Sequence, residues 1–303
     1  MNYRHHFHAG NFADVMKHAL LIRLVRSMQK KEKGFLYLDT HAGRGGYDLT
    51  AAASGDSLAR QPEWPDGVGR LVSRRDLPQE IADYLAVARR FDASRRAGAD
   101  TNDQGALKFY PGSPWFVREL ARPQDRLALC ERQPDECAAL REEFQFSPGA
   151  KVQEMDGYVA VRALLPPPER RALVLIDPPF EAHNEFVQVA RALSEGLRRF
   201  PSAVFAVWYP LTERARVEDF FMDLRALRPP PTLAAELMIA GDGSTMKLKG
   251  CGLVVINPPW QFDREAEPML GFLGEALAQA RGGGGRVTWL VGERGLGGSE
   301  SVG

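Results

Sequence analysis

Cysteine is scarce in this chain of 303 residues: Cys130, Cys137 and Cys251 are the three present, and none forms a C-x-x-C pair. That scarcity excludes a disulfide framework and a zinc knuckle, and it fits a reducing compartment. Net charge is missing too. Because 39 basic side chains cancel 39 acidic ones, any anionic partner must be met by local rather than overall charge. No run approaches the ~18–20 uncharged apolar residues of a membrane span, and the opening MNYRHHFHAG is polar and aromatic where a secretory leader is apolar. These absences predict a cytoplasmic protein with no membrane partner. Heptads and internal repeats are lacking, and neutral charge without heptads favours a monomer. The 29 Gly and 21 Pro are too few for a collagen-like or wholly disordered chain, and the length suffices for one large α/β domain or two small ones.

Charge is nevertheless uneven. Residues 1–50 hold eight Lys/Arg against four acids, with five of the six histidines, so an anionic partner would be felt there. Apolar residues at 15, 16, 19, 20, 22, 24, 25 and 28 fit an amphipathic helix capped by Asn11 and closed by Gly34. The period then changes, and Phe35-Leu36-Tyr37-Leu38, ending in Asp39, reads as a buried strand feeding the glycine turn 41–46. Residues 49–108 interrupt the series with Pro/Gly/Trp-rich turns and one helix over 76–91. Their nine Lys/Arg are matched by nine Asp/Glu, so a solvated face is the first reading of the arginine pairs there. Ser113 as N-cap with Pro114 at the first helical position then starts a helix to 121.

Four strands follow at 126–131, 152–156, 172–177 and 203–208, with helical stretches such as 184–200 among them. The alternation predicts an α/β fold with a mostly parallel sheet, whose ligands sit beyond the carboxyl ends of the strands. Asp39, Glu131, Asp156 and Asp177 would line that rim. Segments 237–240 and 252–256, joined through a glycine turn, predict an antiparallel pair closing the sheet. A helix near 268–280 and an apolar run at 287–291 come next, and from Gly292 on the composition is that of a frayed tail.

The strongest chemical signal is Asp177-Pro178-Pro179-Phe180 at the end of an apolar strand. Two prolines fix a rigid corner that lacks backbone donors but keeps its carbonyls. Such a corner can accept both N–H bonds of an exocyclic amino group while the next aromatic ring stacks on the base; the alternative is a plain turn after a core strand. The loop Asp39-Thr40-His41-Ala42-Gly43 lets backbone N–H groups approach a ligand, yet it has neither the G-x-G-x-x-G nor the G-K-[ST] pattern, which favours a nucleoside-like ligand without phosphates. Glu131 can take the two hydroxyls of a ribose. A second corner, Asn257-Pro258-Pro259-Trp260, is equally acceptor-rich by composition but follows the late antiparallel pair. The histidines with Asp39 or Asp177 offer a rival reading as a metal hydrolase; no H-x-x-x-H signature supports it, and no metal is expected.

The order of these features resembles the Rossmann-like S-adenosylmethionine-dependent methyltransferases acting on amino nitrogens. Tyr3-Arg4-His5, Phe7-His8-Ala9-Gly10-Asn11, Asp14-Val15-x-Lys17-His18, Leu38-Asp39-Thr40-His41-Ala42-Gly43, Tyr110-Pro111-Gly112-Ser113-Pro114 and Ile176-Asp177-Pro178-Pro179 together resemble the RlmJ family of bacterial 23S rRNA adenine-N6 methyltransferases. The resemblance implies a methyltransferase domain formed by 1–48 and 109–291, with a tail over 1–18 that covers the cofactor, an inserted helical subdomain over 49–108 and a tail from 292 to 303. It implies methyl transfer from S-adenosylmethionine to an adenine N6 of protein-free or partly assembled 23S rRNA, the base being single-stranded or flipped out. It places the catalytic acceptor at Asp177, within Asp177-Pro178-Pro179-Phe180. Cofactor contacts fall on His18, His41, Gly43, Ser113, Glu131, Asp156, Gly157 and Asp177, and substrate contacts on Tyr3, His5 and Lys17. Phe180 stands where the family usually has tyrosine, so stacking is kept and a phenolic hydrogen bond lost. A DNA adenine-N6 methyltransferase and a non-catalytic RNA-binding module are the alternatives.

Overall fold

The computed structural model describes residues 7–50, 61–96, 105–182, 184–241 and 243–292. Helix α1 (Phe12–Gln29) begins where the Asn11 side chain accepts the N–H groups of Ala13 and Asp14, both at 3.0 Å. It stops short of Gly34 because residues 31–33 are three exposed charged side chains. Strands β1 (Leu36–Asp39) and β2 (Gly46–Asp48), helices α2 (Gly69–Val72) and α3 (Gln79–Arg95), strand β3 (Phe109–Pro111) and helix α4 (Ser113–Leu120) come next. The chain then alternates through β4 (Arg126–Glu131), α5 (Pro134–Phe144), β5 (Ala150–Glu154), α6 (Gly157–Leu164), β6 (Ala172–Ile176), α7 (Glu185–Arg199), β7 (Val204–Leu211) and α8 (Arg214–Ala226). It ends in β8 (Thr232–Met238), β9 (Gly250–Ile256), α9 (Phe262–Ala276) and β10 (Gly284–Val291).

The strands form an 8-stranded sheet in the order β10-β8-β9-β7-β6-β1-β4-β5. From β7 to β5 all pairings are parallel, whereas β9, β8 and β10 join antiparallel to their neighbours. This is the Rossmann-like α/β architecture that the strand–helix alternation predicts. Side chains alternate across it: Tyr37, Leu127, Leu129, Leu173 and Leu175 face α1, while Leu36, Leu38, Ala128, Cys130, Val174 and Ile176 face the opposite layer. Burial on both faces explains why the central strands read as continuous apolar runs. Because β1 has β4 on one side and β6 on the other, and the chain proceeds in opposite directions from it, a crevice opens at the carboxyl end of β1.

Several elements differ from the sequence reading. Strand β8 spans Thr232–Met238 rather than 237–240, since its pairing with β9 matches Thr232 to Ile256 and Met238 to Gly250. The run at 287–291 is part of a further strand, β10, outside β8. Pro268 lies inside α9 and not at its start, because the fully buried Phe262 anchors the first turn. A small antiparallel ribbon, β2 with β3, pairs Tyr47 with Tyr110; three-residue strands leave too short a pattern to be read. Between those strands, α3 packs against α1 and α4, and its Ile81, Tyr84, Leu85, Ala88 and Phe91 share one core with Val15, Leu21 and Leu24. Tyr3, His5 and the tail beyond Gly292 lie outside the described residues. No helix among the described residues is long and apolar enough to cross a membrane.

Candidate active site

The crevice is floored by Asp39, which leaves β1 on the α1 side of the sheet. Tyr37, two residues back and therefore on the same face, donates its hydroxyl to Asp39 Oδ2 at 2.7 Å, and Ser113 donates to the same oxygen at 2.7 Å. This engagement explains a departure from the sequence reading: Ser113 does not cap α4, whose N-cap is Gly112, because its hydroxyl is held by Asp39. Oδ1 of Asp39 is buried with no hydrogen-bond partner among the described residues. An orphaned carboxylate oxygen is costly unless something else satisfies it.

Burial pushes the Asp39 carboxyl up to about 6, although Ser113 and Tyr37 pull it down. Burial likewise pushes the neighbouring His41 imidazole down to about 4, against the pull of Asp177 and Asp156. These shifts have opposite consequences for stability. A carboxyl raised by folding favours the folded state fully below its ordinary value of 3.8, and that support is lost as pH climbs to about 6. An imidazole lowered by folding favours it fully above 6.5, and that support is lost as pH falls to about 4. Urea titrations should therefore show Asp39→Asn losing stability more steeply than the parent on acidification from pH 7 to 4, by up to ~3 kcal/mol. His41→Gln should shift the other way.

Beyond Asp39 the loop is held in shape by Glu131, at the end of β4. Its Oε2 accepts the Gly43 N–H at 2.9 Å and its Oε1 accepts the Gln133 N–H at 2.7 Å. Gly43 adopts φ +58, and a Cβ there would stand 2.4 Å from the Tyr47 hydroxyl. Each Glu131 oxygen keeps a lone pair for a second donor such as a ribose hydroxyl. Asp156 caps α6, accepting from Tyr158 N at 2.9 Å and Val159 N at 3.2 Å. Gly157 then passes so close to β1 that a Cβ would sit 2.1 Å from the Thr40 carbonyl oxygen. Gly157→Ala should accordingly force the start of α6 away from the end of β1, costing about 3 kcal/mol, read as a lowered urea midpoint.

The acceptor corner follows β6 directly, with Asp177 half-buried beside Pro178. Lys17, 5% exposed, reaches it from α1: its Nζ is 2.6 Å from Asp177 Oδ2 and 2.8 Å from Asp14 Oδ1. Asp14 is tied in turn to the Gly10 N–H through Oδ2 at 3.0 Å. Burial alone would lower the Lys17 ammonium, but the two carboxylates outweigh it and hold it well above the ordinary lysine range. Phe180 sits in the left-handed region at φ 49, uncommon for an aromatic residue. Its ring packs edge-on to Phe186 at 4.9 Å and Trp208 at 5.7 Å.

One crevice thus gathers Lys17, Asp39, His41, Gly43, Ser113, Glu131, Asp156, Gly157 and the Asp177 corner; His18, next to Lys17 on α1, is buried at the same helix end. Sequence reasoning missed Asp14 and Tyr37. Their only signals were spacing: three residues before Lys17 on a helix, and two before Asp39 on a strand. The second proline corner lies at the opposite ends of the strands, beyond the amino ends of the parallel set, since Ile256 pairs with Phe205 near the start of β7. Asn257 there donates its Nδ2 to Pro201 O and Ala203 O, both at 2.8 Å, so it closes a turn instead of accepting a ligand. Among the described residues no group of His, Cys, Asp or Glu is placed to hold a metal ion. The residues fit a nucleoside-bearing cofactor: two strand-end carboxylates with spare lone pairs, close backbone passage at Gly157, and the orphaned Asp39 oxygen.

A family model described as ribosomal RNA large subunit methyltransferase D, RlmJ, matches residues 32–291. The chain is 38% identical over 293 residues to the ribosomal RNA large subunit methyltransferase J of Escherichia coli (strain K12), covering 97% of this chain and 100% of that protein. It is 36% identical, over the same shares, to the protein of that name from Haemophilus influenzae. A crystal structure of a Legionella pneumophila protein superposes with a TM-score of 0.80 at 33% identity, covering 95% of this chain and 99% of that one.

Proposed function

This chain belongs to the RlmJ family of ribosomal RNA large subunit methyltransferases, and on that premise we propose that it methylates the exocyclic N6 amino group of an adenine in 23S rRNA, using S-adenosylmethionine. The observation that carries the reading at the atomic level is the Lys17–Asp177 contact of 2.6 Å beside a double-proline corner. Anchoring Oδ2 of Asp177 leaves Oδ1 and the Pro178 carbonyl as acceptors for the two N–H bonds of an amino group. Holding those bonds aims the nitrogen lone pair, and alignment of this kind is worth several kcal/mol on its own. S-adenosylmethionine supplies an electrophilic methyl group on a sulfonium, which is an intrinsically good methyl donor. No strong base is required, because a nitrogen that gains a fourth substituent is acidic; Asp177 or water takes the proton. Glu131 and Asp156 hold the nucleoside portion, and Asp39 with Ser113 shapes the floor beneath it.

The amino group of a paired adenine is inaccessible, so the substrate presents a single-stranded or flipped-out base. Transfer of labelled methyl groups to protein-free large-subunit rRNA tests the proposal, with assembled subunits and single-stranded DNA as competitors. Labelling of adenine that resists a chelator is the expected result. RNA binding without labelling would overturn it in favour of a binding module, and preferential labelling of DNA would reassign the substrate.

A further inference from the structure

The stretch that leads into α1 is clasped from outside by residues of the excursion between β2 and β3. Glu63 donates its backbone N–H to Phe7 O at 3.0 Å, and Val68 donates its own to Gly10 O at 2.8 Å. The Glu63 carboxylate engages two side chains of that stretch: Oε2 accepts from Asn11 Nδ2 at 2.8 Å, and Oε1 lies 3.0 Å from His8 Nδ1. At Gly67 the two backbones touch, since a Cβ there would stand 2.1 Å from Gly10 O and 2.6 Å from the Asn11 Cα. Nothing in the chemistry above uses Glu63.

Both Asn11 and Gly10, held in this way, act on Asp14. Asn11 is a two-ended amide: with its NH2 group engaged by Glu63, its Oδ1 is turned to the Ala13 and Asp14 N–H groups. Gly10, at φ +75, sends its N–H to Asp14 Oδ2 at 3.0 Å. The Asp14 main chain is thus fixed by Asn11 and its carboxylate by Gly10, with Oδ1 turned to Lys17 Nζ, 2.8 Å away. Lys17 in turn holds Oδ2 of Asp177 at 2.6 Å. An unbroken line of contacts therefore runs from an exposed glutamate outside the main sheet to the acceptor corner. Asp14 and Lys17 are 3% and 5% exposed, so solvent is not at hand to replace a lost partner.

We infer that Glu63 is a positioning residue for methyl transfer: through Asn11, Gly10 and Asp14 it keeps Lys17 on one oxygen of Asp177, so that the other is left to aim the amino group. Its side chain is 44% exposed, so truncating it empties no core cavity and the cost falls on alignment. A displacement of about 1 Å at the reacting groups can cost ~100-fold in rate. The part in methyl transfer rests on the proposed use of Asp177 as the acceptor; the hold on Lys17 does not.

The test applies two readouts to Glu63→Ala, Glu63→Gln and Asn11→Ser. One is the slowly exchanging ammonium signal of nitrogen-15-labelled Lys17, assigned by its loss in Lys17→Arg; Lys17 is the one buried lysine among the described residues, which sets its signal apart. The other is the single-turnover rate of methyl transfer to protein-free rRNA at saturating cofactor and RNA. Glu63→Ala should shift or broaden the ammonium signal and slow transfer about tenfold, with affinity for S-adenosylmethionine within about twofold of the parent. Asn11→Ser keeps a helix cap but loses the donor to Glu63, so it should do the same with the helix start intact. Glu63→Gln retains an acceptor for Asn11 and should stay within about threefold of the parent rate. Arg70→Met, which loosens the same excursion elsewhere by removing the bond to Ala278 O, should lower the urea midpoint and leave both readouts unchanged; a merely structural Glu63 would behave like Arg70. Either readout unchanged in Glu63→Ala, or a Glu63→Gln protein as slow as Glu63→Ala, overturns the inference. The ammonium signal needs no substrate, so a parent that transfers no methyl group overturns the proposed function instead, and Glu63→Ala still decides the hold on Lys17.

Discussion

Asp177→Asn should retain the fold and lose methyl transfer by at least about a thousandfold. The asymmetry of its surroundings makes this isosteric change more damaging than its size implies. Lys17 Nζ, 2.6 Å from Oδ2, tolerates only an acceptor, so the amide must turn its oxygen toward Lys17 and its NH2 toward the crevice. A donor would then face the amino group that the corner is proposed to accept. Single-turnover assays on protein-free rRNA, with cofactor binding followed separately, measure the effect. Activity within tenfold of the parent would show that the acceptor lies elsewhere.

Lys17→Met carries the largest expected cost in stability, about 3–5 kcal/mol. The substitution preserves volume but leaves the Asp14 and Asp177 carboxylates, both of which contact Nζ, without the cation between them. The sign of the pH dependence follows. Held above the ordinary lysine range, the ammonium supports the fold fully below that range and loses this role only as pH rises through the raised value. The parent should thus show no loss from this source at neutral pH. The variant should be weakest there and recover on acidification, as protonation relieves the repulsion between the two uncompensated carboxylates. Adding Asp14→Asn should restore part of the deficit, and urea midpoints across pH 4 to 8 would reveal whether it does.

Strands β1, β4 and β6 were legible because each is an apolar run that closes on or runs into an acid, whereas β5, with its polar sequence over Ala150–Glu154, was read two residues too late, at 152–156. The rim acids were legible for the same reason: Asp39, Glu131 and Asp177 each close or directly follow such a run. What could not be read depends on distances between remote segments. Nothing local shows that Ser113 would abandon its capping role for Asp39, 74 residues away, or that Glu131 would spend both oxygens on backbone N–H groups. The limits of β8 and of the edge strand β10 were misplaced because they come from partner register, not from the strands' own pattern. The Asn257 corner shows the converse: its composition matches that of Asp177, and only the reversed direction of β9 separates the two.

The ribbon of β2 and β3 brings the two ends of a long excursion side by side, with Tyr47 opposite Tyr110. A detour that leaves and re-enters through one narrow doorway can lengthen or shorten over evolutionary time with little penalty, since loop closure grows only about 0.6 kcal/mol per doubling. Descendants of this scaffold are therefore free to restyle the outer surface of that detour. Among the described residues, α3 is denied that freedom because Tyr84 reaches back through the doorway to Tyr110, and so is the stretch around Val68, whose N–H bonds the Gly10 carbonyl at 2.8 Å.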